Sequence, residues 1–210
     1  IVFNGEIFNY KNLREKLKRR GIPFYTQGDT EVLLNGYVEF GKDFLKDVKG
    51  FFAFCVYDIE KEKIILSRDF YGKKPLYYYR NEDEFLFGSE IKAIKNNLKN
   101  SIYVNYKSLS HYLWKGYYAN GDSAYQNIHS LLPGQTIEVS INNLNYKSEV
   151  EDLTFLQVNN SEEKRNLEAV ENSLRESIRS RLVADVPISF LLSGGVDSSL
   201  ISLLASQESS

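Results

Sequence analysis

The sequence predicts an α+β domain rich in antiparallel sheet, followed by the opening strand–loop–helix of an α/β domain. Three observations carry this expectation. Residues 51–89 hold four short runs, "FFAFCVYD", "KIILSRD", "PLYYY" and "EFLFGS", rich in aromatic and β-branched residues. The polar turns "IEKEK", "FYGKK" and "RNEDE" separate them, as in an antiparallel meander. Helical periodicity precedes this block, with Leu13 and Leu17 on one face and then Val32, Leu33, Tyr37 and Phe40 on another. Near the end, "ISFLLSGGVDSSLISLLA" places a Ser/Gly turn between two apolar runs, which reads as buried strand, loop and helix.

Taken in order, residues 1–3 read as a strand and Asn4-Gly5 as a turn. A helix is expected over 10–20, closed by Gly21. A short extended piece at 22–25 leads to Asp29, a good N-cap for a helix over 30–40. After the meander, 108–118 reads as a short helix, and "GQTIEVSI" and "YKSEVEDL" flank "NNLN" as a hairpin. Residues 157–164 are polar and read as a linker between a first domain at 1–156 and a second at 165–210. Leu167, Val170, Leu174, Ile178 and Leu182 then recur at helical spacing. Pro187 ends that pattern, "ISFLL" supplies the strand, and a helix begins near Ser199.

Composition narrows the function. The 210 residues are 42% hydrophobic, enough for a real core, and their net charge of −2 makes no general case for nucleic acid or an anionic membrane. No window approaches the ~18 uncharged apolar residues of a membrane span, and no secretory-signal pattern opens the sequence. The single cysteine, Cys55, excludes an internal disulfide and fits a reducing, cytoplasmic compartment. There is no methionine, and Ile1 stands in what reads as mid-strand, so a piece of a longer chain, cut at both ends, is expected. His111 and His129 stand far apart without metal-ligand spacing and are expected at surface or turn positions. "KLKRR" at 16–20 reads as a solvated basic helix end.

The Ser/Gly loop has the chemistry of a phosphate cradle. Glycines turn the backbone sharply and let amide N–H groups converge, and a helix N-terminus adds its positive dipole end. Leu192, Ser193, Gly194, Gly195, Val196, Asp197, Ser198 and Ser199 are the candidate nucleotide-binding residues. A carboxylate repels phosphate, so Asp197 belongs there only as a candidate Mg²⁺ ligand bridging acid and phosphate. The lysine of a Walker-type loop is missing. The bland alternative is an exposed turn of small residues; a buried strand immediately upstream argues against it.

"LLSGGVDSS" resembles the pyrophosphate loop of ATP pyrophosphatases. Read with "FNGEIFNY", "GFFAFCVYD", "RDFYGKKPLYYY", "FGSEIKAI" and "LLPGQTIEV" in that order, the whole chain resembles the glutamine-hydrolysing asparagine synthetase family. The resemblance implies an N-terminal-nucleophile αββα glutaminase, followed by the start of an ATP-pyrophosphatase-type synthetase domain. It implies glutamine, aspartate and ATP as substrates, Mg²⁺ as cofactor, and release of AMP and pyrophosphate; a homodimer is one assembly it allows. It implies Asn4 and Gly5 as oxyanion-hole donors, which suits a side-chain amide and a backbone N–H aimed at one oxygen. Asn4, Glu6 and Asp29 are then expected to bind glutamine, the two acids at its ammonium. The family's cysteine nucleophile would lie before Ile1; a mid-strand Cys55 reads as an inert core thiol. Phe70-Tyr71 departs from the family's usual Pro-Phe, and Arg68, Asp69 and Glu90 read as turn or interdomain locks. The 210 residues alone are expected to have neither activity. Three other readings stay open: an amidotransferase acting on a sugar carboxylate, a relative with a dead glutaminase, and a non-enzymatic nucleotide switch.

Overall fold

The computed structural model describes residues 1–150, 167–184 and 186–208. The chain divides into two compact units, Ile1–Leu153 and Thr154–Ser210. The expected linker at 157–164 lies outside the described residues.

In the first unit, strand β1 (Val2–Ile7) leads to helices α1 (Tyr10–Lys18) and α2 (Asp29–Phe40) and a 3₁₀ segment, Gly41–Asp47. Strands β2 (Gly50–Asp58), β3 (Lys63–Arg68), β4 (Tyr77–Arg80) and β5 (Phe85–Gly88) follow, then helices α3 (Ile91–Lys95) and α4 (Tyr106–Lys115). Strands β6 (Ile128–Ser130), β7 (Gln135–Ser140) and β8 (Tyr146–Val150) complete it. The expected single meander is instead two antiparallel sheets, β1-β2-β3-β7-β8 and β5-β4-β6. The break falls between β3 and β4, where the "DFYGKKP" loop carries the chain to the second sheet.

Side-chain alternation explains why these strands read as unbroken apolar runs. Along β2, Phe52, Phe54 and Val56 pack with α1 and α2, while Ala53 and Cys55 face the opposite way. That opposite face, with Leu66, Ile137 and Val139, meets Tyr78, Phe85 and Phe87 of the second sheet. Tyr77, Tyr79 and Leu86 turn the other way, onto Ile94 of α3. The order is helices, sheet, sheet, helix: an αββα sandwich in which both sheets are covered on both faces. Period-two alternation (P/H) is therefore hidden, because both faces are apolar.

Three local expectations are corrected here. Asn4-Gly5 is not a turn but the middle of β1, because pairing with Ala53 and Phe52 overrides its local turn preference. Asp29 is not the N-cap; Gly28 is, with extended backbone (φ −74°, ψ 159°), and Asp29 is the first helical residue. His129 lies half-buried on β6 beside Tyr78 rather than at the surface or a turn, and burial lowers its pKa.

In the second unit, α5 (Leu167–Arg181) packs on α6 (Val196–Glu208) through Leu174, Ile178, Leu182, Leu204 and Ala205. Arg175 and Arg179 both reach the carboxylate of Glu208. The expected buried strand at 188–192 is absent: Leu191 is 96% exposed and Phe190 41%. Among the described residues of this unit there is no strand to pair with it, and an unpaired strand leaves its N–H and C=O groups without ladder partners. The helix after the loop starts at Val196, three residues before the expected Ser199. No helix among the described residues is long and apolar enough to cross a membrane.

Candidate functional site

Strand β1 ends the order of its sheet, so one side of it is an open edge. Which of its amides face that edge follows from the ladder. Phe8 N–H donates to Lys49 O at 2.8 Å, and alternation makes Glu6–Phe51 and Asn4–Ala53 the hydrogen-bonded pairs. Gly5–Phe52 and Ile7–Gly50 are the other kind, closer across the strands and with their polar groups turned outward. The close approach is visible at Gly5, where a Cβ would stand 2.2 Å from Phe51 O and 2.7 Å from Phe52 Cα. The N–H groups of Gly5 and Ile7 therefore both point off the open edge.

Ile7 N–H is taken by Asp29 Oδ2 at 3.0 Å. This bond brings Asp29, at the start of α2, to the strand that carries Asn4, Gly5 and Glu6. Asn4 and Glu6, one residue either side of Gly5, project to the face opposite Phe3 and Ile7. Asn4 Nδ2 lies 3.5 Å from Ser89 Oγ, directly after β5, and Glu6 is exposed. The loop before Asp29 is clamped from two sides. Buried Arg14 donates to Thr26 O, Gln27 Oε1 and Gly28 O at 2.6, 3.0 and 2.9 Å. Glu31 accepts from Tyr25 N–H, Thr26 N–H and the Thr26 hydroxyl, and these bonds lower its pKa. The sequence placed Asp29 in the site but missed Arg14 and Glu31. Their signal was there: a cation at the apolar face of α1, and the final acid of "QGDTE".

In the second unit, Leu192 precedes the turn and Gly194 has φ +82°, with nothing within 4 Å of a would-be Cβ. Ser193 Oγ and Ser198 Oγ share a hydrogen bond of 3.0 Å, and Ser198 Oγ also donates to Gly195 O. Ser199 N–H donates to the same Gly195 carbonyl at 3.1 Å, the first bond of α6. The amides of Val196, Asp197 and Ser198 thus occupy the helix's first turn, where no intrahelical acceptor exists.

Residues 1–150 match the family "Glutamine amidotransferase domain", and residues 169–210 match "Asparagine synthase". The chain belongs to the glutamine amidotransferase family. A relative described as asparagine synthetase [glutamine-hydrolyzing] 3, from Bacillus subtilis, is 32% identical over 98% of this chain and 33% of its own length. A putative asparagine synthetase [glutamine-hydrolyzing] 2 from Methanocaldococcus jannaschii is 33% identical over 96% of this chain and 39% of its own. The chain thus spans roughly a third of the length of these curated relatives. Among solved structures, the glutamine phosphoribosylpyrophosphate amidotransferase from B. subtilis, complexed with ADP and GMP, superposes with a TM-score of 0.50 at 18% identity. It covers 98% of this chain and 43% of that one, a likeness of fold: the N-terminal-nucleophile sandwich.

Within this amidotransferase domain, Cys55 is buried on β2 and burial pushes its thiol up to about 11. A thiol with that pKa is protonated at neutral pH and is a poor nucleophile. Cys55 in the native protein is expected to resist alkylation at pH 8 and to react once the chain is unfolded, read by peptide mapping; rapid labelling of Cys55 in the folded state would contradict the burial.

The second-unit loop suits a pyrophosphate: the space around Gly194 is open, the first-turn amides of α6 have no intrahelical acceptors, and the Ser193 and Ser198 hydroxyls stand beside them. For Mg²⁺, Asp197 is the acid in the first turn of α6. No group of three or more His, Cys, Asp or Glu is gathered among the described residues. A metal here would draw its remaining ligands from phosphate and water, as Mg²⁺ commonly does.

Proposed function

We propose that this chain is the glutaminase domain (1–156), linker (157–164) and beginning of the synthetase domain (165–210) of a longer enzyme. That enzyme converts aspartate, glutamine, ATP and water to asparagine, glutamate, AMP and pyrophosphate. The observation that carries the reading is the free N–H of Gly5 on the open edge of β1, with Asn4 beside it and Asp29 bonded one turn of the ladder away.

In this reading a thiolate attacks the glutamine side-chain amide, and Asn4 Nδ2 and Gly5 N–H donate to the oxygen that becomes negative. Glu6 and Asp29 approach from opposite faces of the strand and hold the substrate ammonium. Cys55 is not the nucleophile, since it is buried and protonated. Ammonia leaves, water releases glutamate from the thioester, and ammonia attacks the activated aspartate carboxyl. Activation is needed because a carboxylate is a poor electrophile and AMP is a good leaving group. Ser193–Ser199 supplies amide and hydroxyl donors to the β- and γ-phosphates that depart as pyrophosphate. Asp197 would hold Mg²⁺, which would supply positive charge to those phosphates.

The test is made on the full-length protein with amide-¹⁵N glutamine, aspartate and MgATP. Labelled asparagine should appear in equal amount with AMP and pyrophosphate. Formation of ADP, or of glutamate without asparagine, would overturn the assignment.

A further inference from the structure

We infer that Asp69 is a positioning residue for the glutaminase site, acting through Phe52 on the amide of Gly5. The inference rests on the glutaminase reading above and concerns a residue outside the substrate-binding set.

Asp69 follows β3 and stands opposite Phe52, in continuation of the β2–β3 ladder whose last pair is Ala53–Arg68. Its N–H donates to Phe52 O at 2.7 Å, as the ladder requires. The reciprocal bond is diverted. The main-chain carbonyl of Asp69 accepts from Gly72 and Gly134, and Phe52 N–H goes to the Asp69 carboxylate, Oδ2, at 3.3 Å. The same carboxylate accepts Lys74 N–H on Oδ2 at 3.0 Å, and Tyr71 and Lys73 N–H on Oδ1 at 3.1 and 3.0 Å. Asp69 is fully buried. Arg68 fastens the far side of the loop through Gly72 O, Lys74 O, Ser130 Oγ and Leu131 O.

The consequence reaches β1. Phe52 is the residue across from Gly5. Both of its main-chain polar groups are committed to Asp69, on the side of β2 away from β1. Ladder parity already aims the Gly5 N–H off the edge; Asp69 fixes the position of the strand segment against which Gly5 sits, and so where that N–H points. Glycine at 5 permits the close approach; Asp69 fixes the strand against which that approach is made.

The experiment uses the full-length protein and an Asp69→Asn variant, which keeps the size of the side chain. An asparagine offers one acceptor oxygen and an NH₂ where four amide donors converge, so the Phe52 bond or the loop bonds must break. Competent sites are counted by covalent labelling with an electrophilic glutamine analogue. Glutaminase kcat per labelled site is expected to fall about 10- to 100-fold, the scale of a displaced oxyanion donor. KM for glutamine should change less than about threefold, because Glu6 and Asp29 are untouched. Ammonia-dependent synthesis should be retained. Unchanged kcat per labelled site, a loss carried wholly by KM, or a parallel loss of ammonia-dependent synthesis would overturn the role. Hydrogen exchange on the unmutated protein tests it without a variant: Phe52 N–H should exchange at least about tenfold more slowly than Gly5 N–H. Equal protection would overturn it. Wild-type protein that releases no glutamate from glutamine would instead overturn the glutaminase reading.

Discussion

Replacing Gly5 with alanine in the full-length protein is expected to remove glutamine hydrolysis while sparing synthesis from added ammonia. The added methyl would stand 2.2 Å from Phe51 O, 2.7 Å from Phe52 Cα and 2.9 Å from Phe52 Cβ. Two of these three are backbone atoms of a central strand, so the neighbour cannot swing aside as a side-chain tip would. Strand β1 must peel from β2, at a cost of about 1–3 kcal/mol for an overpacked site. The displacement moves the N–H of Gly5 and carries Asn4 with it. Loss of one oxyanion donor costs about 10²–10³ in kcat, and here both are disturbed. Gly28→Ala is the matched control: its backbone is extended, and its methyl would meet only Thr26 Oγ1 at 4.0 Å. Steady-state glutaminase assays should separate the two variants by at least a hundredfold. If Gly5→Ala retains glutaminase activity, the open edge of β1 is not where the amide is cleaved.

The same residue marks where the sequence was legible and where it was not. "NGE" advertised itself through a resemblance, but its backbone was misread, because Asn-Gly favours a turn locally and the ladder to residues 52 and 53 is non-local. Which amides face the open edge depends on the parity set by Phe8 and Lys49, and no neighbouring residue encodes that. Strands β2 to β5 were legible because their aromatic and β-branched content is local. Their division between two sheets was not, since pairing β4 with β6 joins Tyr78 to His129 across the sequence. Asp29 was singled out through the resemblance and misassigned as a cap: its carboxylate accepts from Ile7 N–H rather than from its own helix. Asp69 had only a motif to suggest it, and its four amide partners become visible only once the loop is folded.

Gly194→Ala is expected to weaken ATP binding about 5- to 30-fold and leave glutaminase activity unchanged. The reason differs from that at Gly5. No atom lies within 4 Å of a would-be Cβ at Gly194, so there is nothing to collide with. The penalty is conformational: φ +82° is a left-handed backbone that costs an L-residue about 1–2 kcal/mol. A buried loop would be held in that strain by its surroundings and the cost would fall on folding stability. This loop is exposed and its contacts are short-range, chiefly Ser193–Ser198 and Ser198–Gly195. It is free to relax to another φ, and the nucleotide must then restore the cradle at its own expense. A penalty of about 1–2 kcal/mol becomes a factor of about 5–30 in affinity. Gly195 offers the internal comparison, having no positive φ and only ordinary contacts, with Ser193 Oγ at 3.7 Å and Ser198 Oγ at 3.9 Å. An alanine there should leave the fold of the loop intact. Calorimetric titration of the full-length variants with MgATP, alongside their thermal unfolding, separates the cases. A Gly194→Ala protein that binds ATP as the wild type does would mean the left-handed turn plays no part in holding phosphate.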